Sequence, residues 1–496
     1  MSHRTKKGTL SAIPIVEVTR ENILQLWPLI LLKLKQDNVC CVALDLELSG
    51  LGDRKWARHA SVEERYLSYK AAADSRSIIS LGLSIFALES CNRTRQRVKL
   101  RASAFNLLCL SSDAFTVEPE ALKFLVRHSF DFNAQIAHGM PYTPPRANPD
   151  SSTKRGSAEE SPLQALFLEL LRARLPLVLH NSLVDLVFLY RHFYAPLPED
   201  LQTFLTDLAD LVGEAGLYDT KFAADYWLHW PASFLEYLFR KCQRDNAMEC
   251  ESSNLYLSVK FDDTAFLLGK STVVNGHKAP SVSEEVDIVD CSLRPKCSCG
   301  HRKGPSFERI CQIFAAHGFC AKKCCDKLHD LDAALDYEDH KKQKARERNR
   351  KRKLNSASNE GSELKPPSEV LPNGSSGTGT SPCLACTAHS DKELQRQNSK
   401  TKQRGSHRAG VDAFMTGFAM AYMRRRCLLQ HGSLSSPEDD TPSGVQSLVR
   451  VGAKDDIRNK IPLAGKPFPL LIQRSQHSGP SDQHVMKWNR SVAEGR

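Results

Sequence analysis

The stretch Val39–Leu48 (VCCVALDLEL) is apolar apart from two carboxylates, Asp45 and Glu47, and Ser49 and Gly50 close it. Such a run predicts a buried strand. Side chains alternate across a strand, so Asp45 and Glu47 share one face while Leu44, Leu46 and Leu48 share the other. Two carboxylates side by side on a largely buried strand repel each other and lose hydration, a cost of roughly several kcal/mol unless something offsets it. A divalent cation is the natural partner, because Mg2+ is a hard ion that takes one or two carboxylates together with substrate phosphate oxygens. The alternative is an edge strand whose acids are simply in water.

The neighbouring segments say what kind of sheet this strand joins. ISLGLSIFAL (79–88) and VKLRASAFNLLCL (98–110) are two more strand candidates, separated by a polar turn around Cys91–Gln96. Three consecutive strands with short connections predict an antiparallel meander. Residues 120–130 and 163–174 are helical in pattern, PLVLHN (176–181) reads as a short strand, and SLVDLVFLYRHF (182–193) as the helix behind it. Strands first and strand–helix alternation afterwards give an α/β class, a mixed sheet flanked by helices.

At 496 residues the chain is long enough for about three domains. Residues 13–290 read as globular. From 354 to 401 the texture is Ser, Gly, Pro and charge with too little apolar content for a core, which predicts a disordered linker. Order returns at Val411: Val411, Phe414, Met415, Phe418 and Tyr422 recur at helical spacing and predict one apolar face. A lone amphipathic helix of this length is marginal, so it must pack on something. The economical expectation is a discontinuous domain of residues 13–290 plus 402–450, interrupted by an insertion. The last segment, 451–496, gives no clear reading.

The formal charge of +11 is concentrated: Lys341–Lys353 holds nine basic residues against Glu347, leaving about +3 for the rest. That run suggests nuclear import, or contact with nucleic acid, against the plainer alternative of a solvated basic helix. The sixteen cysteines are too sparse for a disulfide scaffold and sit unevenly, which points to metal or core use in a reducing compartment. No stretch approaches the roughly 18 unbroken apolar residues of a bilayer crossing. The first residues lack the apolar core of about 7–15 residues that a secretory signal needs. The expectation is a protein inside the cell with no membrane anchor.

Three further acids compete for a site with Asp45 and Glu47. Asp185 lies in the first turn of its helix in the capping pattern Ser182-x-x-Asp185, yet a helix start behind a strand is also where open α/β sheets build sites. Asp219, in GLYDTK, is a rival with nothing around it to favour it. His407 and Asp412 frame HRAGVD at the start of the returning helix, where an Asp is favoured by the helix dipole alone.

Taken in order, DLELSG, HNSLVDLVFLY and the His-x4-Asp of HRAGVDAFMTG resemble the DEDD exonuclease superfamily of the RNase H-like fold, in its His-containing branch. The surroundings are similar to the poly(A)-specific ribonuclease and CAF-type deadenylases. AAADSRSIISLGLSIF, FLVRHSFDFNAQIAHGMPY and GLYDTKFAADY carry that likeness over about residues 13–240 and 402–425. Arg408 departs from the polar residues that other branches carry there. The resemblance implies that Asp45, Glu47, Asp185 and Asp412 hold two Mg2+ ions and that His407 is the general base. It implies hydrolysis of single-stranded RNA from the 3′ end, adenosine tails in particular, releasing 5′-AMP. The resembled deadenylases include dimers, so self-association stays open.

Cys311, Cys320, Cys325 and His329 give C-x8-C-x4-C-x3-H within residues 295–335, a four-ligand set suited to tetrahedral zinc. The spacing resembles the CCCH fingers of RNA-binding proteins. Cys324 competes with Cys325, while His317, Cys297, Cys299 and His301 read as spare, and Cys383-x2-Cys386-x2-His389 as chance. Phe314 and Phe319 either stack on bases or form the small core of the finger, and the core is the expectation. Two rivals remain to a nuclear, Mg2+-dependent deadenylase: a non-catalytic RNA-binding protein on a nuclease scaffold, and a DNA exonuclease of the same fold.

Overall fold

A computed structural model describes residues 13–52, 61–146, 161–261, 310–322, 324–357, 408–426, 428 and 457–491. The expected linker beyond 357, the Cys383 set, Cys297, Cys299, His301 and His407 lie outside the described residues.

Eight strands form one mixed sheet: β1 (Val16–Val18), β2 (Val39–Leu48), β3 (Ile78–Asn92), β4 (Arg97–Ser111), β5 (Met140–Tyr142), β6 (Leu177–Leu179), β7 (Leu217–Asp219) and β8 (Tyr256–Phe261). The spatial order is β1-β4-β3-β2-β6-β7, with β5 and β8 also on β4. β2, β3 and β4 are antiparallel, as their sequences predict, while β6 and β7 add in parallel. One connection differs from the expected meander. The helix Val62–Ser75 stands between β2 and β3, capped by the Ser61 hydroxyl accepting from the Glu64 amide. The Ser61-x-x-Glu64 capping pattern announces that helix.

β4 is long and its outer edge needs covering, because an open edge offers a row of unpaired amides and carbonyls to other chains. Three short parallel strands cover it end to end. Residues 97–102 pair with β8, 105–107 with β1 and 109–111 with β5.

Two apolar layers lie on the two faces of the sheet. Val42, Leu44 and Leu46 point into a core with the helices Ile23–Leu34, Val62–Ser75, Pro162–Arg172 and Leu201–Val212. Cys41 and Ala43 point the other way, toward the helices Leu235–Glu251 and Ala409–Met423. The helix Ala409–Met423 is therefore not the one-faced amphipath of the sequence reading, because every one of its residues is buried. It is wedged between sheet and helix: Phe414 stacks on Phe86 of β3 with centroids 5.5 Å apart, and Phe418 meets Phe239 edge-on at 5.4 Å. Burying each such ring is worth about 2–3 kcal/mol. These ring contacts hold the middle of the helix against the sheet and its neighbour helix.

The far edge of the sheet is closed by residues the sequence left unread. Arg458 bridges Tyr218 of β7, and the Asn459 amide donates to the Leu217 carbonyl at 2.7 Å. The strands β9 (Lys460–Ile461) and β10 (Leu470–Leu471) follow, then the helix Asp482–Ser491. Behind them a buried polar network ties the segment down: the Tyr190 hydroxyl and the Ser481 hydroxyl both donate to Asp207, each at 2.7 Å. Among the described residues, no helix is long and apolar enough to cross a membrane.

Candidate functional site

The carboxylates of Asp45 and Glu47 leave the same face of β2 near its end, where Ser49 pins the chain. The Ser49 hydroxyl donates to the Thr116 carbonyl at 2.7 Å and accepts from the Ser77 amide at 3.0 Å. In the ladder Asp45 stands opposite Gly82, and Glu47 opposite Ser80. Gly82 is a glycine because the start of the last helix lies directly on it; a Cβ there would come within 1.8 Å of the Ala409 carbonyl oxygen. That close approach carries Asp412, in the first turn of the helix, to the strand acids. Asp45, Glu47 and Asp412 each offer a carboxylate oxygen, and these atoms all lie within 4.8 Å of one another.

Three acids so close, and partly or wholly buried, cannot all be ionised at ordinary cost. Burial first, then the charges of Asp412, Asp185 and Glu47, push Asp45 well above the usual carboxylate range. Burial, Asp412 and Asp185 do the same to Glu47. Asp185 is pushed up to about 7, by burial and then by Asp219. It acts on both strand acids electrostatically while standing outside the tight trio. An arrangement whose anionic form is penalised this heavily is suited to a divalent cation, which offsets the repulsion.

Asp185 and Asp219 sort themselves by hydrogen bonds. Asp219 is fully buried and accepts from four backbone amides, those of Asn181, Ser182, Lys221 and Phe222, at 2.8–3.2 Å. It is a cap and a strap on the turn that precedes Asp185. The hydroxyl of Ser182 makes no cap bond, so the capping box of the sequence reading does not form. This frees Asp185 from a structural duty. Arg408 forms an ion pair with Glu17 of β1, a residue that carried no mark in the sequence.

The second cluster lies after β8. Cys311, Cys320, Cys325 and His329 bring their ligand atoms within 4.8 Å of one another, with Cys325 rather than Cys324 in the set. Cys324 is exposed. The Phe314 amide donates to Cys311 Sγ, and with help from Cys320, His329 and Cys325 holds that thiol down to about 6, which favours the thiolate a metal takes. Phe314 stacks on His329 at 5.2 Å, as a finger core requires. Phe319 does not join it; it is 63% exposed, correcting the expectation that both rings are core. Gly318, at φ +76°, closes the short helix Gln312–His317 in the left-handed region and rests on the ring of Phe234.

The helix Leu331–Ala357 then runs through the basic segment Lys341–Lys353, so Leu354–Ala357 are helical where the sequence predicted linker. Its acidic first half is fastened to the helix Leu235–Glu251. Arg240 grips Asp332 with two bonds at 2.7 and 3.0 Å, Arg244 meets Asp336 at 2.5 Å and Asp339 at 3.3 Å, and the Tyr237 hydroxyl donates to Glu338 at 2.8 Å.

A mixed sheet flanked by helices brings a strand and a helix start together at a carboxylate cluster of a kind that could hold a metal ion. The CAF1 family ribonuclease profile matches residues 18–420, most of the chain, and the chain belongs to that family. A silkworm (Bombyx mori) protein described as the pre-piRNA 3′-exonuclease trimmer is 26% identical over 136 residues. The match takes in 26% of this chain and 24% of the relative, so the chain spans about a quarter of that protein's length. Among solved structures, S. pombe Pop2p in its Mg2+- and Mn2+-bound form is 19% identical, with a TM-score of 0.35 over 46% of this chain and 82% of that one. The RNase domain of yeast Pop2 is 13% identical, with a TM-score of 0.33 over 48% and 80%.

Proposed function

We propose that this ribonuclease is a Mg2+-dependent 3′-to-5′ exoribonuclease that removes adenosine tails from RNA and releases 5′-AMP. The observation that carries it is the convergence of Asp45, Glu47 and Asp412, from a strand and a helix far apart in sequence, into one cluster with Asp185 beside it. Asp45, Glu47, Asp185 and Asp412 would hold two Mg2+ ions. When bound, two such ions supply an activated water and stabilise the leaving oxygen of an in-line displacement. His407, one residue before the described helix segment, would take the proton from the attacking water on an imidazole nitrogen, a task suited to a group titrating near neutrality. Asp219 holds the turn that aims Asp185.

The 3′ polarity is supported by the named activity of the silkworm relative, and the preference for adenosine by the family likeness alone. Cys311, Cys320, Cys325 and His329 would hold a structural Zn2+, and the helical basic run Lys341–Lys353 would bind RNA and the import machinery. A finger and basic run inserted before the third motif resemble the nuclear zinc-finger deadenylase called target of EGR. We therefore place the enzyme in the nucleus, acting on the 3′ ends of small nuclear or other noncoding RNAs.

The test is a gel assay of the full chain on a 5′-labelled RNA ending in adenosines, with Mg2+ and with EDTA. The expected result is an EDTA-sensitive ladder that stops where the adenosines end. Folded protein that binds the RNA but yields no ladder in Mg2+ or Mn2+ would leave a non-catalytic RNA-binding scaffold as the better account. Equal trimming of DNA would point to the 2′-hydroxyl being ignored.

A further inference from the structure

Four residues stand in one row across the sheet. Glu17 of β1 is in register with Asn106 of β4, Asn106 with Gly82 of β3, and Gly82 with Asp45 of β2. At about 4.8 Å between strands the row is about 14 Å long. Asp45 at one end belongs to the acid cluster, and Gly82 is the gap into which the start of the helix Ala409–Met423 drops. Asn106, 2% exposed, is what that helix start meets next. Its Oδ1 accepts from the Gly410 amide at 3.1 Å and from the Ser80 hydroxyl at 3.1 Å, and its Nδ2 donates to Glu17 Oε1 at 3.0 Å. Glu17 in turn pairs with Arg408, the residue just before the helix.

We propose that Asn106, oriented by Glu17, is the positioning residue that seats the last helix and so delivers Asp412 to Asp45 and Glu47. A helix has free amides in its first turn, and a buried one left without a partner costs about 1–3 kcal/mol. Asn106 satisfies one of them at a single location on the sheet. Its amide cannot flip, because the Nδ2 would then face the Gly410 and Ser80 donors while Oδ1 faced the Glu17 carboxylate. Glu17 thus fixes the amide, Asn106 fixes Gly410, and the Arg408–Glu17 pair fastens the residue before it. Asp412 follows Gly410 by two residues, so an error of an ångström in the seat is passed directly to the carboxylate. Sequence distance makes such a device necessary, since Gly410 lies 304 positions from Asn106 and Arg408 lies 391 from Glu17. The chain itself sets no register between them. The identity of the cargo as a metal ligand rests on the function proposed above; the seating does not.

The experiment compares wild type with Asn106→Leu, Asn106→Asp, Glu17→Leu and Glu17→Gln, reading amide hydrogen exchange across 409–423 and Mn2+ binding by calorimetry without RNA. Asn106→Asp keeps an acceptor for Gly410 but sets a second carboxylate against Glu17. Glu17→Gln keeps an acceptor for Asn106 and removes only the charge. Asn106→Leu, Asn106→Asp and Glu17→Leu are expected to speed exchange at Gly410–Asp412 about tenfold or more and to weaken Mn2+ binding about 10–100-fold, as loss of outer-shell support does elsewhere. Glu17→Gln is expected to stay within about threefold of wild type by the same comparison. Exchange in β2 and β3 reports whether a variant is folded; should Asn106→Leu unfold, Glu17→Leu, which leaves the Asn106 side chain in place, decides. Wild-type exchange at Gly410–Asp412 in the folded variants overturns the proposal. If wild type itself binds no Mn2+, the metal-centre reading falls, and exchange alone still supports or overturns the seat.

Discussion

At Asp45 the dominant force is burial, and the neighbouring charges only add to it. A carboxylate whose folded-state pKa is raised is stabilising in its protonated form, so without metal the protein loses stability as pH rises through the raised values, near 7 for Asp185. Two outcomes follow. In EDTA at pH 8, Asp45→Asn should be more stable than wild type by about 1 kcal/mol or more, read as a higher Tm, while in saturating Mg2+ its RNA trimming should be roughly a hundredfold or more below wild type. In wild type, the Tm increase given by saturating Mg2+ should be larger at pH 8 than at pH 5, because only at the higher pH is there full anionic repulsion to relieve. The proposed zinc site offers a similar test at single atoms. Cys325→Ser should release zinc to a chromogenic chelator and unravel residues 310–330, whereas Cys324→Ser should do neither. The strand acids were legible in sequence because i and i+2 on an apolar run is a local fact. The choice of Asp185 over Asp219 came from the motif likeness alone, since its physical ground, which of them accepts the amides of Asn181 and Ser182 across two parallel strands, is not local.

At the scale of elements, the helix Leu183–Leu189 continues into a π turn at Tyr190–Tyr194 that buries His192. The imidazole is stacked on Phe188 at 5.6 Å and meets Tyr142 edge-on at 5.6 Å. Burial, with Arg191 close by, pushes its pKa down to about 3. A histidine with a depressed folded-state pKa is held neutral, so its contribution is intact above the unfolded value near 6.5 and is lost as pH falls below it. At pH 5 that loss is about 2 kcal/mol. His192→Phe keeps a ring in the stack and removes the titration. Whatever its offset at pH 8, its urea-unfolding stability should fall less than that of wild type between pH 7 and pH 5. The same element level shows what sequence periodicity can and cannot say. The helix Ala409–Met423 was read with one apolar face because Ala413, Thr416, Gly417, Ala419 and Ala421 are small, not because they are wet. Small residues are what a helix needs on the sides where a sheet and a second helix approach closely, and only the packing shows that.

For the molecule as a whole, the Cys/His segment is fastened to the sheet domain rather than hung from it. Its last cluster residue, His329, leads directly into the helix Leu331–Ala357, whose Ala334 and Leu335 are buried, Leu335 clustering with Ala232 and Tyr237. The charges beside this small apolar contact are unequal in kind. The Arg244 side chain is 9% exposed, whereas its partners Asp332, Asp336 and Asp339 are 25–41% exposed. An exposed ion pair is worth about 0–1 kcal/mol and is screened by salt; a buried cation serving three acids is screened far less, and removing it leaves those acids repelling one another. Sequence could not show this, because the basic stripe Arg240, Lys241 and Arg244 and the acids 332–339 each look like an ordinary solvated helix face until the two helices meet. The tail was illegible for a related reason: Asn459 and Ser481 find their partners, Leu217 and Asp207, 242 and 274 positions away. The expected behaviour of the brace is therefore asymmetric. Asp339→Asn should change hydrogen exchange at Leu331–Glu338 by less than about twofold, while Arg244→Met should raise it by an amount corresponding to about 1–3 kcal/mol. Raising salt to half-molar should partly restore the Arg244→Met protein, by screening the acids left facing one another, and leave wild type nearly unchanged. A wild type that loosens markedly in half-molar salt would mean that exposed surface pairs hold the Cys/His segment, and that Arg244 does not.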